Sequence, residues 1–104
     1  MNLENYRTLL ECEGVNFYCS KPYGLELLLI LEKCKKEGVD NGIEDTFDLI
    51  LFNKPRRAAF AKFIKQLEEL KYIIKQKSST KASKFVLRMS AETAKSFTKF
   101  KVNR

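Results

Sequence analysis

The chain has 104 residues, enough for one domain with an apolar core of its own, and its 44% hydrophobic and 32% charged residues exclude a wholly disordered polymer. Its formal charge of +7 is unevenly spread: residues 1–52 carry 5 basic and 10 acidic side chains, whereas residues 53–104 carry 15 basic and 3 acidic. Histidine, CxxC spacing and a glycine-rich phosphate loop are all missing, which removes the usual metal, acid–base and nucleotide-binding sets; no cofactor and no enzymatic activity are expected.

Residues 2–13 set Leu3, Tyr6, Leu9 and Leu10 at helical spacing, with Gly14 as the expected stop. The following VNFYCSKPYG is apolar but broken by Pro22 and Gly24, and residues 15–18 read equally as strand, turn or helix. From about residue 22 to Glu37, Leu25, Leu27, Leu28, Leu29, Ile30, Leu31 and Cys34 form a helix that is apolar nearly all round, so it should be buried under other helices or against a second copy of the chain. Gly38 is its left-handed cap, and VDNG at 39–42 is expected to turn at two positions tolerant of left-handed backbone. Ile43, Phe47, Ile50 and Leu51 then define one face of a short helix whose other face, Glu44, Asp45 and Asp48, is acidic and reads as solvated. Cys12, Cys19 and Cys34 have no pairing pattern and read as small buried hydrophobes in a reducing compartment. No signal-like N-terminus and no apolar run long enough for a bilayer is seen, so a cytoplasmic protein without a membrane partner is expected.

The stretch NKPRRAAFAKFIKQLEEL, residues 53–70, concentrates the chemistry. Asn53 can cap a helix and Pro55 fits a first turn, predicting a helix from about residue 54. Phe60, Phe63, Ile64, Leu67 and Leu70 fall on one stripe, with Ala58, Ala61, Lys62, Lys65 and Glu69 opposite. Lys54, Arg56 and Arg57 stand at the positive end of the helix dipole, which suits phosphate, and the two alanines would let the helix backbone approach a groove floor. A short helix, a tight turn and a longer helix is the layout of a helix-turn-helix. After Leu70 the period changes: residues 72–77 (YIIKQK) and 84–89 (KFVLRM) are rich in β-formers and flank the polar SSTKAS, predicting a hairpin. Lys75, Lys77, Lys81, Lys84 and Arg88 make it basic over most of its length, while Tyr72 and Phe85 are assigned to the core. Ser90 caps a last helix with Glu92 in its first turn and Ala94, Phe97 and Phe100 inward, ending in the basic TKFKVNR.

These elements make a mainly α chain with a small β-hairpin (α+β). In their order, residues 43–97 resemble the winged helix-turn-helix DNA-binding portion of MarR-type and related bacterial and archaeal regulators. The likeness rests on LEELKYII at 67–74, where a helix runs into a short strand, and on FVLRMS at 85–90, where an apolar strand meets a Ser cap. Lys71 stands where many such proteins carry Gly between helix and strand, and Ala94 where they carry one in the final cap. With the length read as a single domain over 1–104, its expected parts are N-terminal helices in 1–38 for dimerisation, and, as the resemblance implies, the helix-turn-helix at 43–70 and the wing at 72–89, followed by a C-terminal helix and tail at 90–104. The resemblance also implies Lys54, Arg56, Arg57, Ala58, Lys62 and Lys65 facing the major groove, with Lys77, Lys81 and Lys84 of the wing reaching phosphates or a minor groove. Arginine suits guanine edges, because its fork can be bidentate, and lysine adds affinity through counterion release.

The expected function is therefore a small dimeric protein that binds double-stranded DNA in a sequence-specific way, by default a transcriptional regulator. A homodimer is expected because one module needs two half-sites about one helical turn apart for useful specificity, and residues 16–18 and 25–31 are where the partner copy is sought. Two alternatives stay open. One is a centromere- or origin-binding adaptor in plasmid or phage segregation or replication, since the short chain also resembles the DNA-binding component of tubulin-type partition systems. The other is a winged-helix interaction module whose basic face docks an acidic protein partner.

Overall fold

The computed structural model describes residues 13–78, 80 and 84–102; all but the last residue of the helix expected over 2–13, with Cys12, Lys81 and the last two residues of the tail, lie outside the described residues. Among the described residues, five helices and one hairpin follow in the order α1 (Glu13–Tyr18), α2 (Gly24–Glu37), α3 (Ile43–Leu49), α4 (Arg57–Glu69), β1 (Ile73–Lys77), β2 (Phe85–Met89) and α5 (Ala91–Val102). The α+β class read from the sequence is what the chain adopts.

The core collects the apolar stripes of every helix around α4. Phe60, Phe63, Ile64 and Leu67 are all buried there, and Phe63 stacks on Phe17 at 5.6 Å while meeting the edges of Tyr18 at 6.4 Å and Tyr23 at 5.7 Å. Burying an aromatic of this size is worth about 1.5–3 kcal/mol, so the spacing of the α4 stripe is what ties α1 and the start of α2 to it. Leu27, Leu28 and Leu31 of α2 and Phe97 and Phe100 of α5 complete the cluster. The Tyr18 hydroxyl donates to the Tyr72 carbonyl at 3.0 Å, and burial pushes its pKa up.

Several local expectations are corrected. Gly14 does not stop a helix; it lies inside α1, where an added Cβ would come within 2.5 Å of Thr93 Oγ1, so the glycine lets α1 lie directly against α5. Residues 15–18 are helical. Gly38 does cap α2 at φ 68°, its N–H reaching the Cys34 and Lys35 carbonyls. The VDNG segment, in contrast, makes no left-handed turn: Gly42 has φ −76° and Asn41 is not among the positive-φ residues. It runs beside β2, where Leu87 N–H donates to the Asn41 carbonyl at 2.9 Å.

The α3–α4 connection also differs. Helix α3 ends at Leu49 and Ile50 turns extended (φ −72°, ψ 123°), so Ile50 is buried but Leu51, expected on the inner face, is 76% exposed. The Glu26 carboxylate on α2 accepts the backbone N–H of Leu51 (2.8 Å) and Phe52 (3.1 Å), fixing this connection. Asn53 is left-handed at φ 53° and its amide donates to the Pro22 carbonyl at 3.5 Å, so it does not cap α4. Pro55 disfavours helix at the residue before it, and α4 begins three residues later than expected, with extended Arg56 as its N-cap. At the far end Lys71 takes the left-handed position (φ 64°) that glycine often fills, and Leu70, at the turn, is half exposed rather than in the stripe.

The hairpin is antiparallel with Ile73 opposite Met89, Lys75 opposite Leu87 and Lys77 opposite Phe85. Tyr72 packs against the core as expected, but Phe85, at the loop end of β2, is 52% exposed. Ser90 caps α5: its Oγ accepts from Thr93 N–H at 3.4 Å and donates to Thr93 Oγ1 at 2.8 Å. Lys101 pairs with Glu32, tying α5 back to α2.

Candidate nucleic-acid interface

Because α4 buries positions 60, 63, 64 and 67, helical geometry turns Ala58, Ala61, Lys62, Lys65 and Glu69 away from the core, and all five are exposed. The two alanines leave a low strip on this surface between the lysines. At its N-terminal end, Arg56 provides no side-chain hydrogen bond to the first-turn N–H groups, which therefore keep their partial positive charge. Arg56 is itself exposed, as are Lys54 and Arg57.

The nine residues singled out by the sequence divide into two groups and one outside the described residues. Lys54, Arg57 and Lys84 are tethered. The Lys54 ammonium lies 4.6 Å above the Phe47 ring and the Arg57 guanidinium 5.1 Å from the same ring, while Arg57 also pairs with Glu44. Lys84 pairs with Asp45 at 3.1 Å. Arg56, Lys62, Lys65 and Lys77 make no ion pair among the described residues, and Ala58 is exposed beside them. Lys81 lies outside the described residues.

The acidic face of α3 is thus not simply solvated, as the sequence suggested. Glu44 and Asp45, consecutive on α3, meet the start of α4 and the start of β2 respectively, and Asp45 also accepts the Gly42 N–H at 3.1 Å. Asp40 joins the same arrangement from the loop before α3: the Ser78 hydroxyl donates to it, as does that of Thr80 at 2.9 Å, and these bonds, followed by Lys84 and Arg88, hold its carboxyl below the usual aspartate range. Apart from the Gly42–Asp45 bond, no local pattern announces these contacts, since each joins residues 13 or more positions apart in the chain.

Two further residues change status. Arg88, counted among the basic residues of the hairpin, is buried; its guanidinium donates to Val39 O at 2.7 Å, to Leu87 O at 2.9 Å and to Asn41 Oδ1, and it offers nothing outward. Phe85 moves the other way. It stands exposed across from Lys77, adding an aromatic to the basic hairpin; the sequence signal for it was its place beside the loop, where a strand leaves the core.

A separate surface is apolar. Ile30, Cys34, Val39, Leu49 and Leu51 line a groove of about 350 Å³ edged by Lys33 and Glu37, with Leu25 and Leu29 exposed along α2. Cys34 is buried there as expected, its thiol pKa raised by that burial, and Cys19 is half-buried. Among the described residues no helix is long and apolar enough to cross a membrane, and no group of three or more Cys, Asp or Glu side chains is arranged to hold a metal ion. Compared with protein-family models, with curated proteins and with solved structures, the chain matches none.

Proposed function

We propose that this chain is a winged helix-turn-helix protein that binds double-stranded DNA as a homodimer, with α4 in the major groove and the β1–β2 hairpin as the wing. The observation that carries the reading is the outward surface of α4: Ala58 and Ala61 between Lys62 and Lys65, behind an uncapped N-terminus flanked by Arg56. A low cationic strip on a helix is the shape and charge that a major groove accepts. The element order supports the same reading, because α3, the connection at 50–56, α4, the hairpin and the segment 39–42 beside β2 follow in an order compatible with that fold. Lys62 and Lys65 face base edges in this arrangement, Arg56 and Lys77 neutralise phosphates, and Phe85 lies where the wing meets the backbone. The apolar groove of α2, with Leu25, Leu29 and Leu51, is the surface we assign to the second copy.

Duplexes selected from a random pool test this. Binding is expected to weaken with salt, log K falling by about 0.9 per phosphate neutralised for each tenfold rise. Lys62→Ala is expected to cost about 1–3 kcal/mol at the selected site and to relax its sequence preference. A selected palindrome points to a repressor, and tandem direct repeats to a segregation or replication adaptor. Absence of duplex binding at low salt overturns the proposal and leaves a basic face made for an acidic protein.

A further inference from the structure

We infer that Glu44 and Asp45 are built-in competitors of the DNA backbone, holding Arg57 and Lys84 in the free protein and so weakening binding driven by phosphate contact alone; the inference rests on the DNA-binding reading above. The two carboxylates are consecutive on α3, yet they reach the two elements proposed to touch DNA, Glu44 the first residue of α4 and Asp45 the residue just before β2. A carboxylate offers arginine and lysine the same anionic oxygens that a phosphate does. In both pairs the acid is more than half exposed, at 58% for Glu44 and 53% for Asp45, so these pairs are open to exchange with a ligand and contribute little to folding.

A duplex has therefore to displace the acids from Arg57 and Lys84, or leave both cations in place and bind through Arg56, Lys62, Lys65 and Lys77, which have no ion pair among the described residues. Displacing the acids offsets the gain from two new phosphate contacts, and leaving them in place takes two cations out of the count that sets sequence-indifferent affinity. At about 0.1 M salt each phosphate contact is worth close to tenfold in affinity, since log K changes by about 0.9 per tenfold change in salt. Arg57 has one more tether, the Phe47 ring, which holds the guanidinium near Glu44 even when solvent competes for it.

The test is the binding of a random-sequence duplex across a salt series by the full chain and by Glu44→Gln, Asp45→Asn and the double variant. The amide introduced by Asp45→Asn keeps an oxygen for the Gly42 N–H, so the start of α3 is retained, and an unchanged unfolding midpoint checks that each variant is folded. The double variant is expected to bind about tenfold or more tighter at 0.1 M salt, with a salt slope steeper by about 1 to 2. Glu44→Gln is expected to give no gain when Arg57 is already Ala, because the competitor then has nothing to hold. Wild-type binding that does not respond to the acid variants overturns this inference and leaves the DNA-binding reading standing. An equal gain with and without Arg57 also overturns it, since that is a general charge effect. Failure of wild type and variants alike to bind any duplex overturns both.

Discussion

The strands β1 and β2 have the same length and pair residue for residue, yet β1 buries only Ile73 while β2 buries every residue but Phe85. The cause is their neighbours. Strand β2 is flanked on its far side by the 39–42 segment, through the Leu87–Asn41 backbone bond, and packs against α2 and α3; β1 forms the open edge. A positive charge therefore means different things on the two strands. On β1, Lys77 faces solvent and is available to a polyanion, with Lys75 partly engaged by Glu68 at 3.6 Å. On β2, Arg88 is a connector inside the fold, satisfying Val39 O, Leu87 O and Asn41 Oδ1 at once. Counting cations along a hairpin overstates the charge it can present.

The sharpest way to break this contrast is Arg88→Ala. It strips buried acceptors of their donor and should cost about 2–4 kcal/mol, read as a fall in the urea unfolding midpoint. Unfolding like that of the wild type would mean that β2 is as open as β1. Lys77→Ala is the counterpart: stability should stay within about 0.5 kcal/mol, while duplex binding weakens for all sequences alike and the salt slope becomes shallower by about 1. A loss confined to one sequence would make this strand a reader of bases.

The smallest effect concerns the loop end of the hairpin, where Asp40 accepts the Ser78 and Thr80 hydroxyls. Its pKa is lowered in the folded protein, chiefly by those bonds, so the stability it contributes is fully present above the ordinary aspartate value and is lost as pH falls through the lowered native value. Asp40→Asn keeps an acceptor but cannot titrate. Its unfolding midpoint should therefore fall less steeply than that of the wild type as the pH is lowered below the ordinary aspartate value of about 4, and identical acid limbs would show that the carboxylate holds nothing.

What could be read in the sequence was whatever is written locally. The stripe at 60, 63, 64 and 67, the Gly38 cap, the Ser90 cap and the break of period after Leu70 each depend on residues within one or two turns, and each corresponds to an observed feature. The outward surface of α4 was legible for the same reason. Arg88 and the acidic pair were not, because their surroundings are set by partners 13 to 49 positions away: Arg57 for Glu44, Lys84 for Asp45, and Val39 for Arg88. Gly14 shows the same limit of a local signal. A glycine after an apolar stretch marks a helix end in general, but here it marks the approach of α5, whose Thr93 lies 79 positions later.

That approach bears on how the chain assembles. The first described helix fits directly against the last, so the Gly14 face of α1 lacks its final cover until α5 has formed. During synthesis the central helices could associate early, but the closing step waits for the segment around Phe97 to leave the ribosome. A chain stopped before Ser90 would emerge with this part of its interior still facing water, a ready target for chaperones or proteases.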